Sequence, residues 1–426
     1  MAKDYRDAKG RPIVAITGMG VITSLGQGKD ENWRNLTAGR SGIRHITRFP
    51  TEGLRTTIAG AVDFVKVEPF SGPQLAINLA SIAATEALED AGLAGRSDFP
   101  GPLFLATPPA ELEWPLRREL FAACKDETLT GYQRLLAAAR TGKFEDQFKL
   151  FQFASVAEHL AAHFGTRGLP VSISTACASG ATAIQSGVEA IRRGETDAAL
   201  CVGTDASVQL EALIRFSLLS ALSPHNEPPE KASKPFSKNR DGFVMAEGAG
   251  ALVLESLSAA RARGAEVHGI LRGCGEKADD YHRTRSRPDG TAIIGAIRNA
   301  MLDADARPEE IGYINAHGTS TPENDKMEYI SLKAVLGEHL MTTPISSNKS
   351  MIGHTLSAAG AIEAVFSLMT MRTGVLPPTI NYDVPDPDIP LDVVPNVARE
   401  ARGITAVLSN SFGFGGQNAC LVLAAA

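Results

Sequence analysis

The strongest constraint on the fold of this chain is an order of segments that occurs twice. Short runs of aliphatic and β-branched residues alternate with helical stretches, a pattern typical of an α/β layered fold. In each set of five runs, a helix of small residues follows the third run. The first set spans residues 13–18, 101–107, 171–175, 197–203 and 250–255, and the second spans 269–275, 311–317, 344–349, 405–409 and 418–423.

The two sets also resemble each other in detail. The fifth runs read ALVL at 251–254 and CLVL at 420–423, and the small-residue helices are expected at 181–192 and 358–369. We therefore predict two α/β halves, residues 1–262 and 263–426, that share one continuous body. The alternative is a chance likeness, because short apolar runs are ambiguous.

One segment departs from this repeated plan. Residues 108–149 have a polar, helical pattern, and we expect an excursion from the layered body over about 108–165.

Charge and cysteine content exclude several classes of protein. The net charge of −6 argues against general nucleic-acid binding. Five widely spaced cysteines without a CxxC pair argue against a disulfide scaffold or a zinc ribbon. Residues 1–6 lack the apolar core of a signal peptide, and the chain has no apolar run of 18 residues. We expect a soluble, cytoplasmic protein without a membrane span.

Cys177 lies where a strand runs directly into a helix of Ala, Gly and Ser. At such a junction the N-terminal end of a helix lowers the pKa of a thiol, and nucleophiles are often displayed there. The alternative is a small buried hydrophobic residue, which fits Cys201 and Cys420 because both lie inside apolar strands.

Two histidines occupy comparable turns of the second half. His317 ends a strand and precedes a Gly/Thr/Ser turn, and His354 precedes the second small-residue helix together with Lys349. A lone histidine is more often an ordinary structural residue, but two in such turns favour a catalytic site. Glu363 lies among aliphatic residues of that helix, so it needs a partner, and Lys349 is the natural candidate.

A glycine-rich stretch at 409–418 surrounds Phe414. Its glycines permit unusual backbone angles and free N–H groups, which suit an oxyanion hole, although a simple turn between strands is the alternative. A dinucleotide-binding motif is excluded because Thr23 stands where a third glycine is required. No metal is expected, because His317 and His354 lack HxxxH or CxxC companions.

Four motifs together resemble the elongating β-ketoacyl-[acyl-carrier-protein] synthases of type II fatty acid synthesis. They are TACASG at 175–180, NAHGTSTP at 315–322, NKSMIGH at 348–354 followed by AAGAIEA at 358–364, and NSFGFGGQN at 410–418. The resemblance covers nearly the whole chain. It implies the thiolase-like fold, in which two pseudo-repeated halves form an α-β-α-β-α body.

The resemblance also implies roles for residues of this chain. Cys177 would take an acyl group from its carrier, and the backbone N–H groups of Cys177 and Phe414 would form the oxyanion hole. His317 and His354 would donate hydrogen bonds to the thioester oxygen of malonyl-carrier as CO₂ leaves. The Lys349–Glu363 pair would set the local field, and the substrate-contacting positions would be Thr319, Thr321, Phe216, Phe412 and Phe414.

The family's partners and cofactor use carry over in the same way. The resemblance implies an acyl carrier protein as partner and a homodimer. It implies no bound cofactor, since the phosphopantetheine arm belongs to the carrier.

The chain departs from the family pattern at two places. Residues 106–114 read ATPPAELEW where relatives have a Gly-rich turn near the acyl pocket and the dimer interface. A basic helix that would meet the carrier is not evident at 67–76, and Arg283, Arg285 and Arg287 could replace it, with a solvated loop as the alternative. These departures resemble a branch that makes very-long-chain acyl groups for lipid A.

Three other functions remain as alternatives. A degradative thiolase is disfavoured because it uses a second catalytic cysteine, whereas Cys420 lies inside a strand. A non-catalytic chain-length partner of another synthase typically lacks the nucleophile that Cys177 supplies here. A polyketide-type ketosynthase shares the whole set of motifs.

Overall fold

The computed structural model describes residues 5–95 and 97–426, so the predicted absence of a signal peptide falls partly outside it, at residues 1–4. Ten of the described strands form the two halves of a central sheet. They are β1 (Val14–Thr23), β2 (Leu103–Ala106), β3 (Val171–Ile173), β4 (Ala198–Asp205), β5 (Gly248–Ser256), β6 (Gly269–Ala278), β7 (Tyr313–Asn315), β8 (Ile345–Ser346), β9 (Ala406–Phe412) and β10 (Gln417–Ala424).

The two halves of the sheet have the same topology. The first runs β3-β2-β4-β5-β1 and the second β8-β7-β9-β10-β6, so each follows the order third, second, fourth, fifth, first. In both halves the second strand pairs in parallel with the third and fourth, and the remaining pairings are antiparallel. The halves join through β1 and β6. The predicted duplication and the thiolase-like fold are confirmed.

Thirteen α-helices connect and cover these strands among the described residues. They are α1 (Lys29–Thr37), α2 (Gly72–Asp90), α3 (Trp114–Ala123), α4 (Gly131–Ala139), α5 (Glu145–Leu150), α6 (Ser155–Phe164), α7 (Ser179–Arg192), α8 (Leu210–Leu218), α9 (Leu257–Ala262), α10 (Thr291–Asp303), α11 (Pro322–Leu336), α12 (Lys349–Ile352) and α13 (Ala359–Thr373). Short strands at Gly26–Gln27, Arg44–His45, Ile58–Ala59, Val375–Leu376 and Arg399–Glu400 lie outside the ten.

The small-residue helices α7 and α13 form the central layer. Apolar residues of both pack with strands of both halves in one cluster. A Cβ on Gly180 would lie 2.6 Å from the backbone N of Ala361, and one on Gly360 would lie 2.6 Å from the backbone N of Ala181. This reciprocal contact explains why both helices are rich in small residues: their backbones touch.

The outer layers cover the other face of each half-sheet. Helix α2 packs on the first half, and α10 and α11 pack on the second. The order is therefore helix, sheet, helix, sheet, helix. None of the described helices is long and apolar enough to cross a membrane.

The excursion is helical, as its sequence predicts. Helix α6 returns to the body and packs beside α2 through Val156, Leu160 and Phe164. The preceding helices α3, α4 and α5 bury little, and Trp114, Tyr132 and Phe148 are exposed. A groove of about 840 Å³ lies between α3, α5, α8 and the body.

Candidate active site

Cys177 lies in the turn between β3 and α7, two residues before the helix begins. The turn is held by Ser179, whose hydroxyl donates to the carbonyl of Ala176 and accepts the N–H of Thr175. Ala176 has φ of 50°, a conformation that costs about 1–3 kcal/mol in a residue with a side chain. The local fold therefore presents Cys177 on a tight, strained turn, as expected for a displayed nucleophile.

The expectation that the helix end lowers the pKa of Cys177 is wrong. Burial raises the pKa of this thiol to about 11, although a hydrogen bond from the N–H of Phe414 and the positive charge of Lys349 act in the opposite direction. Only 8% of Cys177 is exposed. Loss of solvation therefore outweighs the favourable charges, and the thiol is the resting form.

Phe414 is positioned by the glycines around it. A Cβ on Gly413 would lie 2.9 Å from the carbonyl oxygen of Thr175 and 3.2 Å from the backbone N of Cys177. Gly415 and Gly416 have φ of 85° and 89°. The glycines let this loop lie against the Cys177 turn, so that the N–H of Phe414 donates to the sulfur. The role of this backbone N–H in an oxyanion hole stays a prediction.

His317 and His354 come from different turns and meet Cys177. Their rings are 5.2 Å apart between centroids and nearly perpendicular, and their ring nitrogens and the Cys177 sulfur lie within 4.8 Å of one another. Nδ1 of His354 accepts the N–H of Leu356, so in the neutral ring the proton is on Nε2.

Both imidazoles are neutral. Burial lowers the pKa of His317 well below its usual value, the positive charge of Lys349 acts in the same direction, and a proton on His354 would lower it further. Burial, with the charge of Lys349, lowers the pKa of His354 likewise. Two neutral rings can each donate one N–H to a bound oxygen.

Lys349 and Glu363 form a buried ion pair behind the histidines. Their side chains are 2% and 1% exposed, and Lys349 Nζ also lies 3.5 Å from Nδ1 of His317. Burial raises the pKa of Glu363 to about 7, while the Lys349 charge opposes this shift. The structure thus brings together the pair predicted from the sequence.

The residues predicted to contact substrate line one cleft above Cys177. The hydroxyls of Thr319 and Thr321 are 2.9 Å apart. The ring of Phe412 packs edge-on against His317. The cleft is lined, among others, by Cys177, His317, His354, Thr319, Thr321, Phe216, Phe412 and Phe414.

Two buried carboxylates that the sequence analysis missed support this site. Glu328 accepts the backbone N–H groups of His317 and Gly318, at 2.9 and 2.8 Å. Asp205 accepts the backbone N–H of Ser357, three residues after His354. In the sequence, Glu328 and Asp325 look like the ordinary solvent-facing acids of a helix start. Glu328 and Asp205 are recognised as part of the site only because the fold buries them.

The arginine-containing loop after β6 reaches the mouth of the cleft. His282, Thr284, Arg285 and Ser286 line it together with Cys177. The carbonyl of Arg283 accepts the N–H of Gly415 at 2.8 Å, which ties this loop to the glycine loop. Contact with a carrier protein stays a prediction.

The donor set at the centre of the site could also ligate a metal ion. Cys177, His317 and His354 offer one sulfur and two nitrogens, types that Zn²⁺ accepts. The sequence argument against a metal rested on spacing along the chain, and the fold gathers these residues from three separate turns. The absence of a metal in the functional protein stays a prediction.

Comparison with known proteins identifies the family. The N-terminal domain of β-ketoacyl synthases matches residues 12–260, and the C-terminal domain matches residues 268–383. The chain belongs to the β-ketoacyl synthase family. This confirms the resemblance to the elongating synthases, because several curated relatives are named 3-oxoacyl-[acyl-carrier-protein] synthase 2.

Both fatty acid and polyketide enzymes are among the relatives. The chain is 36% identical to 3-oxoacyl-[acyl-carrier-protein] synthase 2 of Coxiella burnetii, over 96% of this chain and 98% of that one. It is 38% identical to the tetracenomycin polyketide synthase ketoacyl synthase alpha subunit of Streptomyces glaucescens, over 96% of each.

Solved structures of the family share the fold. A type II polyketide ketosynthase complex with its acyl-carrier protein, AntDE:AntF, aligns with a TM-score of 0.87 and 35% identity, over 98% of this chain and all of that chain. A β-ketoacyl synthase from Burkholderia phymatum aligns with a TM-score of 0.83 and 32% identity, over 97% of this chain and all of that chain.

Proposed function

We propose that this protein catalyses the decarboxylative condensation of malonyl-[acyl-carrier-protein] with an acyl group held on Cys177. The product is a 3-oxoacyl-[acyl-carrier-protein] two carbons longer. The observation that carries this proposal is the cluster of three reactive groups, one thiol and two neutral imidazoles, within 4.8 Å at the floor of one cleft. The names of the synthase 2 relatives support fatty acid elongation.

In the first half-reaction the Cys177 sulfur attacks the acyl thioester. The carrier thiolate leaves and takes up the proton that the Cys177 thiol gives up. Because the pKa of the thiol is raised, this proton leaves the sulfur during the attack and not before it. The N–H of Phe414, which already donates to the sulfur, stabilises the tetrahedral oxyanion together with the N–H of Cys177.

In the second half-reaction the malonyl carboxylate leaves as CO₂. Its bonding electron pair becomes an enolate, whose oxygen accepts hydrogen bonds from His317 and His354. The enolate carbon then attacks acyl-Cys177, and the Cys177 thiolate leaves and takes up a proton from solvent. His354 suits this role because the proton of its neutral ring is on Nε2.

Polyketide-chain extension is the second candidate. The tetracenomycin ketosynthase relative and the AntDE:AntF complex, whose ketosynthase holds a hexaketide, favour it. The same residues would act, and only the acyl acceptor would differ.

We further propose a cytoplasmic homodimer that accepts long or very long acyl chains. The groove of about 840 Å³ beside the excursion is lined by apolar side chains, including Phe70, Trp114 and Leu116. The exposed edge strand β3 and the exposed apolar residues of α3–α5 offer a surface for a second copy.

Incubation with malonyl-carrier and acyl-carriers of graded chain length, followed by mass analysis of the products, tests the proposal. We expect each acceptor that is used to gain two carbons, and the wild type to prefer long chains. Cys177→Ala should form no extended product but should keep some malonyl decarboxylation, because both histidines remain. The matched control is Cys201→Ala, which changes a cysteine buried in β4 away from the cleft. Condensation by Cys177→Ala at the wild-type rate would rule out the mechanism.

A further inference from the structure

The loop at 279–290, between β6 and α10, binds its own acidic residues through hydrogen bonds and one salt bridge. Asp279 accepts two backbone N–H groups of the loop, and Asp289 accepts one from the start of α10. Asp280 pairs with Arg287, with 3.1 Å between Oδ1 and Nη2. The negative charges of the loop are therefore already engaged.

Two cations of this loop remain without such a partner. Arg283 and Arg285 are exposed, and neither forms a salt bridge within the described ranges 5–95 and 97–426. Arg285 lines the cleft that contains Cys177, and Glu323 is the one acidic residue among the described residues of that lining. The cleft mouth thus carries an arginine whose charge is free to meet an anion.

The loop is also held in place. Asp279 donates its backbone N–H to Gly416, and Gly415 donates its own to Arg283, both at 2.8 Å. These bonds fix the loop to the same glycine turn that presents Phe414. The position of Arg285 relative to the nucleophile is therefore set by backbone contacts.

We propose that Arg285 binds the phosphodiester at the carrier end of the pantetheine arm. This inference rests on the proposed function. An arm whose sulfur reaches Cys177 on the cleft floor has its phosphodiester at the mouth, where Arg285 lies. Thr319 and Thr321 line the same cleft, and their hydroxyls can bind the amides of the arm, which lie between its sulfur and its phosphodiester. A guanidinium matches a phosphate with two parallel hydrogen bonds, which an ammonium or a hydroxyl cannot provide.

The alternative anion is an acidic side chain on the carrier protein itself. We favour the phosphodiester because Arg285 lines the cleft that the arm enters. Arg283, on the same loop, adds positive charge to the mouth.

A substrate that lacks only the phosphate tests this assignment. Decarboxylation and condensation are measured with malonyl-phosphopantetheine and with malonyl-pantetheine, and kcat/KM is compared. We expect the wild type to prefer the phosphorylated substrate about five- to tenfold, mostly through KM. Arg285→Ala should lose this preference while its kcat/KM for malonyl-pantetheine stays unchanged. Arg285→Lys should keep part of it.

Arg287→Ala is the matched control, because Arg287 belongs to the same loop but is paired with Asp280. It should keep the wild-type preference. An Arg285→Ala enzyme that still prefers the phosphorylated substrate overturns the inference. So does one that is impaired only with intact carrier, since that result assigns Arg285 to acidic side chains of the carrier. A wild type that uses neither small substrate nor malonyl-carrier refutes the proposed function instead.

Discussion

The carboxylate of Glu328 holds the backbone of His317. It accepts the N–H of His317 at 2.9 Å, that of Gly318 at 2.8 Å, and the side-chain amide of Asn410 at 3.0 Å. Glu328 is fully buried in α11. It fixes the turn that presents the imidazole, so it acts as a positioning residue.

Replacing Glu328 should therefore damage both stability and turnover. Glu328→Ala leaves three buried donors without their acceptor, at a cost of about 1–3 kcal/mol for each. We expect a lower unfolding temperature and a lower kcat with little change in KM. Glu328→Gln should be intermediate, because one acceptor oxygen remains. Thermal unfolding and steady-state kinetics measure both effects. Lys326→Ala, an exposed change on the same helix, is the control, and equal effects from it would refute the role.

Buried carboxylates also predict how stability depends on pH. Burial raises the pKa of Glu328 and of Asp205 to about 7, from ordinary values of 4.5 and 3.8. The folded state then binds these protons more tightly than the unfolded state. Each group should lower the free energy of unfolding by up to about 1.4 kcal/mol per pH unit as pH rises from about 5 to 7.

Denaturant unfolding at pH 5, 6 and 7 measures this dependence. The carboxylates of Asp90 and Asp303, whose pKa values are lowered, titrate below this window. His317 and His354, whose pKa values are lowered, raise the free energy of unfolding with pH over part of this window and so act in the opposite direction. The contribution of Asp205 is therefore read as a difference: the free energy of unfolding of Asp205→Asn should fall less, or rise more, between pH 5 and 7 than that of the wild type. The same pH dependence in the variant and the wild type would contradict the raised pKa of Asp205.

The sequence was sufficient for the features that recur along the chain. The order of strands and the small-residue helices α7 and α13 follow from composition, because each helix must let another backbone approach. Cys177 and His317 could be predicted as site residues because each stands in a turn directly after a strand, and His354 because it directly precedes a small-residue helix.

Features that depend on burial could not be read in the same way. The helix start beside Cys177 is visible in the sequence, but the desolvation that raises the pKa of its thiol comes from packing of distant segments. Glu328 resembles an ordinary solvent-facing acid of a helix. The mouth of the cleft joins loops that follow β6, β7 and β9, and only the fold brings those loops together.

The Lys349–Glu363 pair should behave as one unit. Lys349→Met or Glu363→Leu alone leaves an uncompensated buried group, and we expect each to cost about 3–5 kcal/mol. The double variant should recover much of this loss, which a double-mutant cycle of unfolding free energies measures. Additive losses would show that the two side chains are independent.

Lys349 should also influence the pH dependence of activity. Its charge lowers the pKa of both His317 and His354, so Lys349→Met should raise those pKa values. The acidic limb of the pH–rate profile should then move to higher pH. The double variant Lys349→Met/Glu363→Leu, which also lacks the Lys349 charge, should show the same movement. An unchanged acidic limb in both variants would show that the charge of Lys349 does not influence the pKa values of His317 and His354.

Gly413 should be required for acylation of Cys177. A methyl group there would lie 3.2 Å from the backbone N of Cys177 and 2.9 Å from the carbonyl oxygen of Thr175, so the two turns must separate. Gly413→Ala should slow acylation on the order of tenfold or more, because the oxyanion donor moves. Single-turnover transfer from radiolabelled acyl-carrier measures this rate. Gly312→Ala, whose added methyl would come no nearer than 3.4 Å to another residue, should acylate normally.

The raised pKa of Cys177 predicts how the free enzyme reacts with iodoacetamide. Because the thiolate is the nucleophile, its modification should accelerate about tenfold per pH unit between pH 7 and 10. Cys177 should still react faster than Cys201 and Cys420, since it lies in the cleft and they are fully buried in strands. Peptide mass spectrometry of timed samples gives each rate. A modification rate of Cys177 that is constant above pH 7 would show that its pKa is not raised. Equal labelling rates of all three cysteines would show that Cys177 is no more accessible than the two core cysteines.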